Sequence, residues 1–93
     1  MENEDNKLVK NQKAVALQYE PGKDRAPRVV AKGKGLIAQK IIAAAEENHI
    51  PLHQDNELAQ LLEALELETE IPGELFRAVA EVLAFIYRMN KKI

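Results

Sequence analysis

Residues 14–32, AVALQYEPGKDRAPRVVAK, decide the fold, because they place two strand-like runs on either side of a turn. Larger apolar and smaller side chains alternate over 13–19, which is the period of a strand with one buried face. Pro21 fixes φ and Gly22 tolerates positive φ, so this pair predicts the turn. A second strand is predicted near 28–32. The stretch therefore predicts an antiparallel hairpin.

Apolar residues after the hairpin recur at helical spacing, which predicts helices near 35–48, 56–67 and 72–90. Asp55 is predicted to cap the second helix. Residues 50–53, Ile-Pro-Leu-His, are predicted as a third strand, parallel to the second through a right-handed crossover. The predicted fold class is α/β: a small central mixed sheet, with strands near 13–19, 28–32 and 50–53, surrounded by helices.

The chain has 93 residues, of which 46% are hydrophobic, and it contains no cysteine. This length predicts a single domain over 9–93, preceded by a polar segment 1–8 that is expected to be disordered or frayed. Disulfides and thiolate metal sites are excluded. Nucleophilic triads are also excluded, because the chain has no Ser and Thr69 is its only Thr. No apolar run approaches the roughly 20 residues of a membrane span, and the acidic N-terminus is unlike a signal peptide, so a cytoplasmic location is expected.

The net charge of −2 hides a segregation of charge along the chain. Residues 10–40 carry +6, whereas residues 41–87 carry −9. Two solvated faces that attract each other within one fold are the simpler interpretation. A basic face presented to a partner is the functional alternative.

The glycine segment at 33–38, Gly-Lys-Gly-Leu-Ile-Ala, matches the pattern G-x-G-x-x-A between a predicted strand and a predicted helix. This pattern is typical of dinucleotide sites, in which glycines let the backbone approach a pyrophosphate. One βαβ unit is small for such a site, so a plain strand-to-helix turn is the preferred interpretation. Nucleic-acid binding by the basic 10–40 segment is a further alternative, although Tyr19 is the only aromatic residue there.

Two histidines, His49 and His53, are spaced four residues apart, but Pro51 and a predicted helix end separate them. A metal site is therefore not predicted. The ten acidic residues between Glu46 and Glu81 fall mostly opposite the apolar helix stripes, which indicates a solvated face rather than a catalytic carboxylate pair. The sequence predicts no cofactor.

Four segments carry a resemblance to a known family: AVALQYEP (14–21), APRVVAKG (26–33), AAEENHIP (44–51) and IPGELFRAVAEVLAFIY (71–87). In this order and spacing, residues 13–88 resemble the cytoplasmic C-terminal domain of the FlhB family, the export-gate switch proteins of flagellar and virulence type III secretion. The resemblance implies a small α/β domain that helps to select export substrates. In full-length members this domain follows a membrane region.

Members of this family usually cleave themselves within an Asn-Pro-Thr-His loop just before the AVAL strand. Here the preceding residues are Val9-Lys10-Asn11-Gln12-Lys13. In an alignment without gaps, Val9 and Lys10 stand where the family's loop has Asn and Pro. With a two-residue deletion Asn11 matches the Asn, but Gln12 replaces Pro and the Thr and His are missing. No catalytic residue is carried over, and the chain resembles a stand-alone, non-cleaving paralogue.

The sequence therefore predicts a non-enzymatic protein–protein interaction module of the flagellar or type III export apparatus. Its expected partners are protein components or substrates of that apparatus, and its expected location is cytoplasmic and peripheral at the export gate, without membrane insertion. Exchanging Arg28 and Lys32 for Glu is expected to weaken partner binding while leaving the fold intact. The alternative is a small nucleotide- or nucleic-acid-binding α/β domain that uses Gly33-Lys34-Gly35. The candidate partner-binding residues are Lys23, Arg25, Arg28, Lys32 and Lys34.

Overall fold

A computed structural model describes residues 12–91 of the chain. Its elements, in chain order, are β1 (Lys13–Gln18), β2 (Arg28–Lys34), α1 (Leu36–Glu47), α2 (Asn56–Glu63) and α3 (Gly73–Lys91). The predicted α/β class is confirmed, and all three helices lie where helical spacing predicts them. The predicted disordered segment 1–8 lies outside the described residues.

The two strands form an antiparallel hairpin, as the Pro21-Gly22 turn predicts. The register slips between Ala16, which pairs with Ala31, and Leu17, which pairs with Val29. Val30 is therefore an extra residue in β2, a β-bulge, and it turns the residues after it to the opposite face.

The bulge gives the hairpin one face of small residues and one of branched residues. Ala14 lies opposite Gly33, and Ala16 lies opposite Ala31, so these four residues share the small face. Helix α1 packs on this side through the buried Ala38 and Ala45.

The branched face supports the main core. Val29 of β2 is buried in a cluster with Leu62 of α2, Ile71 and Val79 of α3. Val15, Leu17 and leucines of α2, α3 and the segment between them surround this cluster. The hairpin is therefore a middle layer, with α1 on one side and α2 and α3 on the other.

The predicted third strand at 50–53 is wrong: residues 50–55 have no strand partner in the described part of the chain. The N–H of Ile50 is already used, because it donates to the carbonyl of Ala45 at 2.8 Å and closes the end of α1. Pro51 has no N–H to offer. Ile50 and Leu52 are 56% and 53% exposed, so little apolar burial holds this segment on a sheet. The sheet is accordingly two-stranded and antiparallel rather than mixed.

The second neighbour of β2 is instead the segment 68–71, which the sequence did not indicate. The N–H of Val29 donates to Thr69 at 3.1 Å, and the carbonyl of Val29 accepts from Glu68 at 2.7 Å. The N–H of Ile71 donates to Pro27 at 2.9 Å. These bonds fix the entry to α3 beside the start of β2.

The helix ends follow local chemistry. The predicted cap is confirmed, since the Asp55 carboxylate accepts from the N–H of Leu58 at 3.1 Å. Helix α1 ends in a Schellman motif in which His49 adopts the left-handed conformation, with φ of 58°. Helix α2 ends at Glu63 rather than near 67. Among residues 12–91, no helix is long and apolar enough to cross a membrane.

Candidate functional site

An apolar cleft of about 160 Å³ opens between the turn end of the hairpin and helix α3. Tyr19 and Phe76 stand at its mouth, 38% and 44% exposed. The cleft is lined by Tyr19, Pro27, Phe76, Val79, Ala80 and Leu83. We refer to these six residues as the α3 cleft.

The α3 cleft results from the spacing of residues along α3 and from the pairing of residues 68–71 with the start of β2. Phe76, Ala80 and Leu83 recur at intervals of four and three residues, so they lie along one side of α3. Pro27 forms the facing wall, where its carbonyl is held by the N–H of Ile71. The floor is Val79, which is 1% exposed and belongs to the core cluster. Helix α3 therefore supplies four of the six lining residues, and Tyr19 and Pro27 lie directly beside the ends of β1 and β2.

The lining of the α3 cleft is apolar except for the Tyr19 hydroxyl. No carboxylate, histidine or lysine lines it. Its volume is below the roughly 300–1,000 Å³ of pockets that enclose drug-sized ligands. A cleft of this size and polarity suits one large apolar side chain of a partner.

Two of the predicted partner-binding residues flank this end of the molecule. Arg25 lies within 3.6 Å of the Glu70 carboxylate, and its side chain is 88% exposed. The guanidinium of Arg28 donates to Gln18 Oε1 at 3.4 Å, while its buried Nε has no hydrogen-bond partner. Arg28 also bridges Glu70 through the backbone. Part of the basic segment is thus neutralised within the fold.

Lys32 lies elsewhere, on the branched face of the hairpin. Its Nζ donates to the carbonyl of Glu63 at 3.0 Å and to the carbonyl of Leu65. These are carbonyls at the C-terminal end of α2, which have no partner inside the helix. Lys32 therefore binds its own chain, and exchanging it for Glu disturbs the end of α2.

The five predicted partner-binding residues do not form one patch. Lys23 lies in the exposed turn, whereas Lys34 pairs in register with Lys13 at the far end of the hairpin. Arg28 and Lys34 are six positions apart on β2, which corresponds to about 20 Å along a strand. Lys23, Arg25 and Arg28 therefore share the end that holds the α3 cleft, and Lys32 and Lys34 do not.

The glycine segment has structural roles. A side chain at Gly33 would overlap Ile37 of α1, so this glycine permits close packing of α1 on the hairpin. Gly35 has φ of 64° and begins α1 without a side-chain cap. Asp55 lies 20 residues beyond Gly35, where a dinucleotide site would have an acid for the ribose, but it is occupied as the cap of α2.

The two histidines serve different elements. His49 ends α1, and His53 lies edge-on to Phe85 with ring centroids 6.3 Å apart. Across the described part of the chain, no group of three or more His, Asp or Glu residues is placed to hold a metal ion.

The position of the family's cleavage loop is only partly visible. Asn11 lies outside the described residues. The backbone carbonyl of Gln12 accepts from the N–H of Gly35 at 2.8 Å, which ties the start of β1 to the start of α1.

The α3 cleft was not predicted from the sequence, although a signal was present. The chain has only two Tyr and two Phe. Phe76 lies beside the apolar stripe of α3 that includes Leu75 and Val79, and its side chain is 44% exposed. An aromatic residue one position outside the centre of an apolar stripe could have indicated the cleft.

Comparisons with known proteins agree on one family. The sequence profile of the FlhB HrpN YscU SpaS family matches residues 11–86. The uncharacterized protein YlqH of Bacillus subtilis is 42% identical over 81 residues, covering 87% of each chain. The flagellar biosynthetic protein FlhB of Aquifex aeolicus is 49% identical over 81 residues, which are 86% of this chain and 23% of that protein.

A solved structure supports the same assignment. The PscU C-terminal domain superposes with a TM-score of 0.76 at 32% identity, covering 80% of this chain and 95% of that domain. The chain spans about a quarter of the length of the Aquifex FlhB protein, and nearly all of the PscU domain.

Proposed function

Because the chain belongs to the FlhB HrpN YscU SpaS family, we propose that it is a protein–protein interaction module of the flagellar or type III export apparatus, which acts by docking rather than by chemistry. The proposal concerns this domain alone, since the FlhB relatives are about four times as long. Its expected location is the cytoplasmic side of the export gate.

The α3 cleft is the single observation that carries the proposal. Its occupant is one large aliphatic or aromatic side chain on a segment of an exported or apparatus protein. Exposed aromatic residues around a small apolar pocket are characteristic of energetic centres of protein interfaces. Tyr19 and Phe76 have this arrangement, because both keep more than a third of their surface in solvent.

Basic residues at the rim of the α3 cleft would orient the docked segment. Lys23 and Arg25 are exposed and supply this charge, whereas the Nε of Arg28 is buried and out of reach of a docked segment. These two exposed residues favour a segment with an acidic or carbonyl-rich flank. Lys32 and Lys34 are proposed to contribute through stability and solubility rather than through contact.

We expect no self-cleavage. The support is the sequence Val9-Lys10-Asn11-Gln12-Lys13, which lacks the Pro, Thr and His of the cleaving loop. No observation favours the nucleotide-binding alternative, because Gly33, Gly35 and Asp55 all have structural roles.

The docking proposal is tested with two matched substitutions in α3. Ala80→Gln fills the α3 cleft with a polar side chain, whereas Ala78→Gln introduces the same side chain on the other side of the helix axis. Both positions are exposed, and glutamine is a good helix former, so both variants should fold. The probes are overlapping labelled peptides that cover the flagellar and secreted proteins encoded by the same genome, with binding measured by fluorescence polarisation.

The expected result is a peptide that binds the wild type and Ala78→Gln equally but binds Ala80→Gln at least about tenfold more weakly, the loss that one buried anchor typically causes. A peptide set in which no member distinguishes Ala80→Gln from Ala78→Gln would overturn the assignment of the cleft. For self-cleavage, mass spectrometry of the purified chain should give one species at the full 10.4 kDa. Fragments separated near Asn11 would contradict the non-enzymatic proposal.

A further inference from the structure

The outer face of α1 is an exposed stripe on the side of the hairpin opposite the core. Its residues are Leu36, Lys40, Ala43 and Glu47, spaced by three or four residues and all exposed. Leu36 is 68% exposed, which is unusual for the first residue of a helix that has an apolar face available. Ala38 and Ala45, on the opposite side of α1, are the residues that bind the hairpin.

The charges on α1 oppose the helix dipole. The first turn has no acid and the last turn has no base. Lys40 lies in the N-terminal half, while Glu46 and Glu47 lie at the C-terminal end, where negative charge is unfavourable. None of these three side chains has an ion-pair partner in the described part of the chain. The charges of Lys40, Glu46 and Glu47 therefore do not stabilise α1.

We propose that the outer face of α1 binds the same face of a second copy of this chain, with the two helices antiparallel. Antiparallel pairing centred near Ala43 places Lys40 of each copy beside Glu46 and Glu47 of the other. A two-fold axis makes this contact twice, and it also sets the two helix dipoles side by side in opposite directions. Parallel pairing would instead place like charges together.

The side chains along the stripe fit this pairing. Ala43 at the crossing point is small, which permits the close approach of two helix axes to about 8–10 Å. At the ends, Leu36 of one copy reaches the region of Ile50 in the other, and both residues are more than half exposed. A shallow groove of about 520 Å³ lies beside α1 and is bounded by Gln12 and Ile42. It provides further surface that the second helix can contact.

The expected complex is weak. Helix α1 has 12 residues and is therefore about 18 Å long. Contacts of this length bury less than the roughly 1,200–2,000 Å² of stable complexes, so self-association should appear only at high chain concentration. The α3 cleft lies across the hairpin from the outer face of α1. A dimer formed through α1 therefore leaves both clefts open.

Charge exchange tests the pairing. One variant carries Lys40→Glu and the other carries Glu46→Lys with Glu47→Lys. Each variant alone places like charges at the contact, so sedimentation equilibrium should show self-association weakened at least about tenfold relative to the wild type. An equimolar mixture of the two variants restores opposite charges at both ends of the contact, so the mixture should associate like the wild type.

Stability provides an independent readout. Both variants improve the match between charge and helix dipole, so their melting temperatures should equal or exceed that of the wild type. Weakened association with an unchanged or raised melting temperature therefore supports the interface rather than a loss of fold. Arg77→Glu, at an exposed position of α3, makes the same change of charge as Lys40→Glu and should leave association unchanged.

Three results would overturn the proposal. The first is a wild-type chain that stays monomeric at millimolar concentration. The second is a mixture of the two charge variants that associates no better than either alone. The third is self-association that appears only after residues 1–11 are deleted, which would make that segment the occupant of the outer face of α1.

Discussion

Replacing Lys32 with methionine is expected to destabilise the domain although the substitution keeps an apolar stem of similar length. Lys32 Nζ donates to two carbonyls at the end of α2. A hydrogen bond from a charged group contributes about 1.5–3 kcal/mol to stability. The site is only partly buried, and methionine removes the cost of desolvating the ammonium group. Two such bonds would contribute about 3–6 kcal/mol, and these two effects reduce the expected net loss to about 2 kcal/mol.

A loss of this size is measurable in a domain of 93 residues. One kcal/mol shifts the melting temperature of such a domain by about 4–8 °C, so the expected decrease is about 8–16 °C. Urea unfolding followed by far-ultraviolet circular dichroism gives the free energy of unfolding directly. Lys34→Met is the matched control, because Lys34 lies two residues further along β2 and its side chain has no partner among the described residues. Its effect should stay within about 0.5 kcal/mol.

The two methionine variants also decide whether a substitution of Lys32 can be used to test partner binding. If Lys32→Met unfolds at the same urea concentration as Lys34→Met, the capping of α2 by Lys32 has no energetic weight and the reasoning is refuted. If Lys32→Met is clearly less stable, a charge reversal at Lys32 cannot test partner binding, since it changes the fold as well. Lys23 and Arg25 are then the proper positions for that test.

Three further substitutions test local features, each by urea unfolding. His49→Gly should stabilise the domain by up to about 1 kcal/mol, because His49 has φ of 58° and glycine adopts that conformation without strain; a loss of stability would contradict this assignment. Asp55→Ala should cost about 1 kcal/mol, whereas Asp55→Asn keeps a capping acceptor and should cost little; equal losses would argue against the cap. Gly33→Ala should cost about 1–3 kcal/mol through overlap with Ile37, and Ile37→Ala in the same chain should recover part of that loss. Gly73→Ala, which meets no atom within 4 Å, is the control for added methyl volume and should be neutral or stabilising.

Local signals in the sequence predicted most of the elements. The alternation over 13–19, the Pro21-Gly22 turn and the spacing of apolar residues after Leu36 each act within a few residues. They placed β1, β2 and the three helices correctly. Asp55 was predicted as a cap for the same reason, since the N–H that donates to its carboxylate, that of Leu58, lies three residues away.

Features that depend on distant parts of the chain could not be predicted in this way. Residues 50–53 have an acceptable strand composition, but the end of α1 takes the N–H of Ile50. Residues 68–71 include three polar residues and lack alternation, yet their backbone pairs with β2 about 40 residues earlier. Their amides and carbonyls decide this pairing, and side-chain pattern carries no information about it.

The candidate site also depends on contacts between distant parts of the chain, which local signals in the sequence do not predict. The basic residues from Lys23 to Lys34 follow one another along the chain with only Asp24 as an opposite charge, so the sequence suggested one patch. Strand geometry spreads them along the hairpin, and the bulge at Val30 turns Lys32 toward α2. The α3 cleft arises where Pro27 meets Phe76 and Leu83, residues about 50 apart in sequence whose meeting depends on the 68–71 pairing.

The three backbone hydrogen bonds between 27–29 and 68–71 also determine how the domain comes apart. They close a loop that contains α1, α2 and the connections between them. Helix α3 therefore cannot detach unless the backbone hydrogen bonds of Val29 break. Val29 lies at the centre of the core and is fully buried. These hydrogen bonds are therefore expected to break only when the core unfolds. The amides of Val29, Glu68 and Ile71 should therefore exchange with solvent through global unfolding. We therefore expect the domain to unfold as one cooperative unit, although the sheet formed by residues 12–91 has two strands.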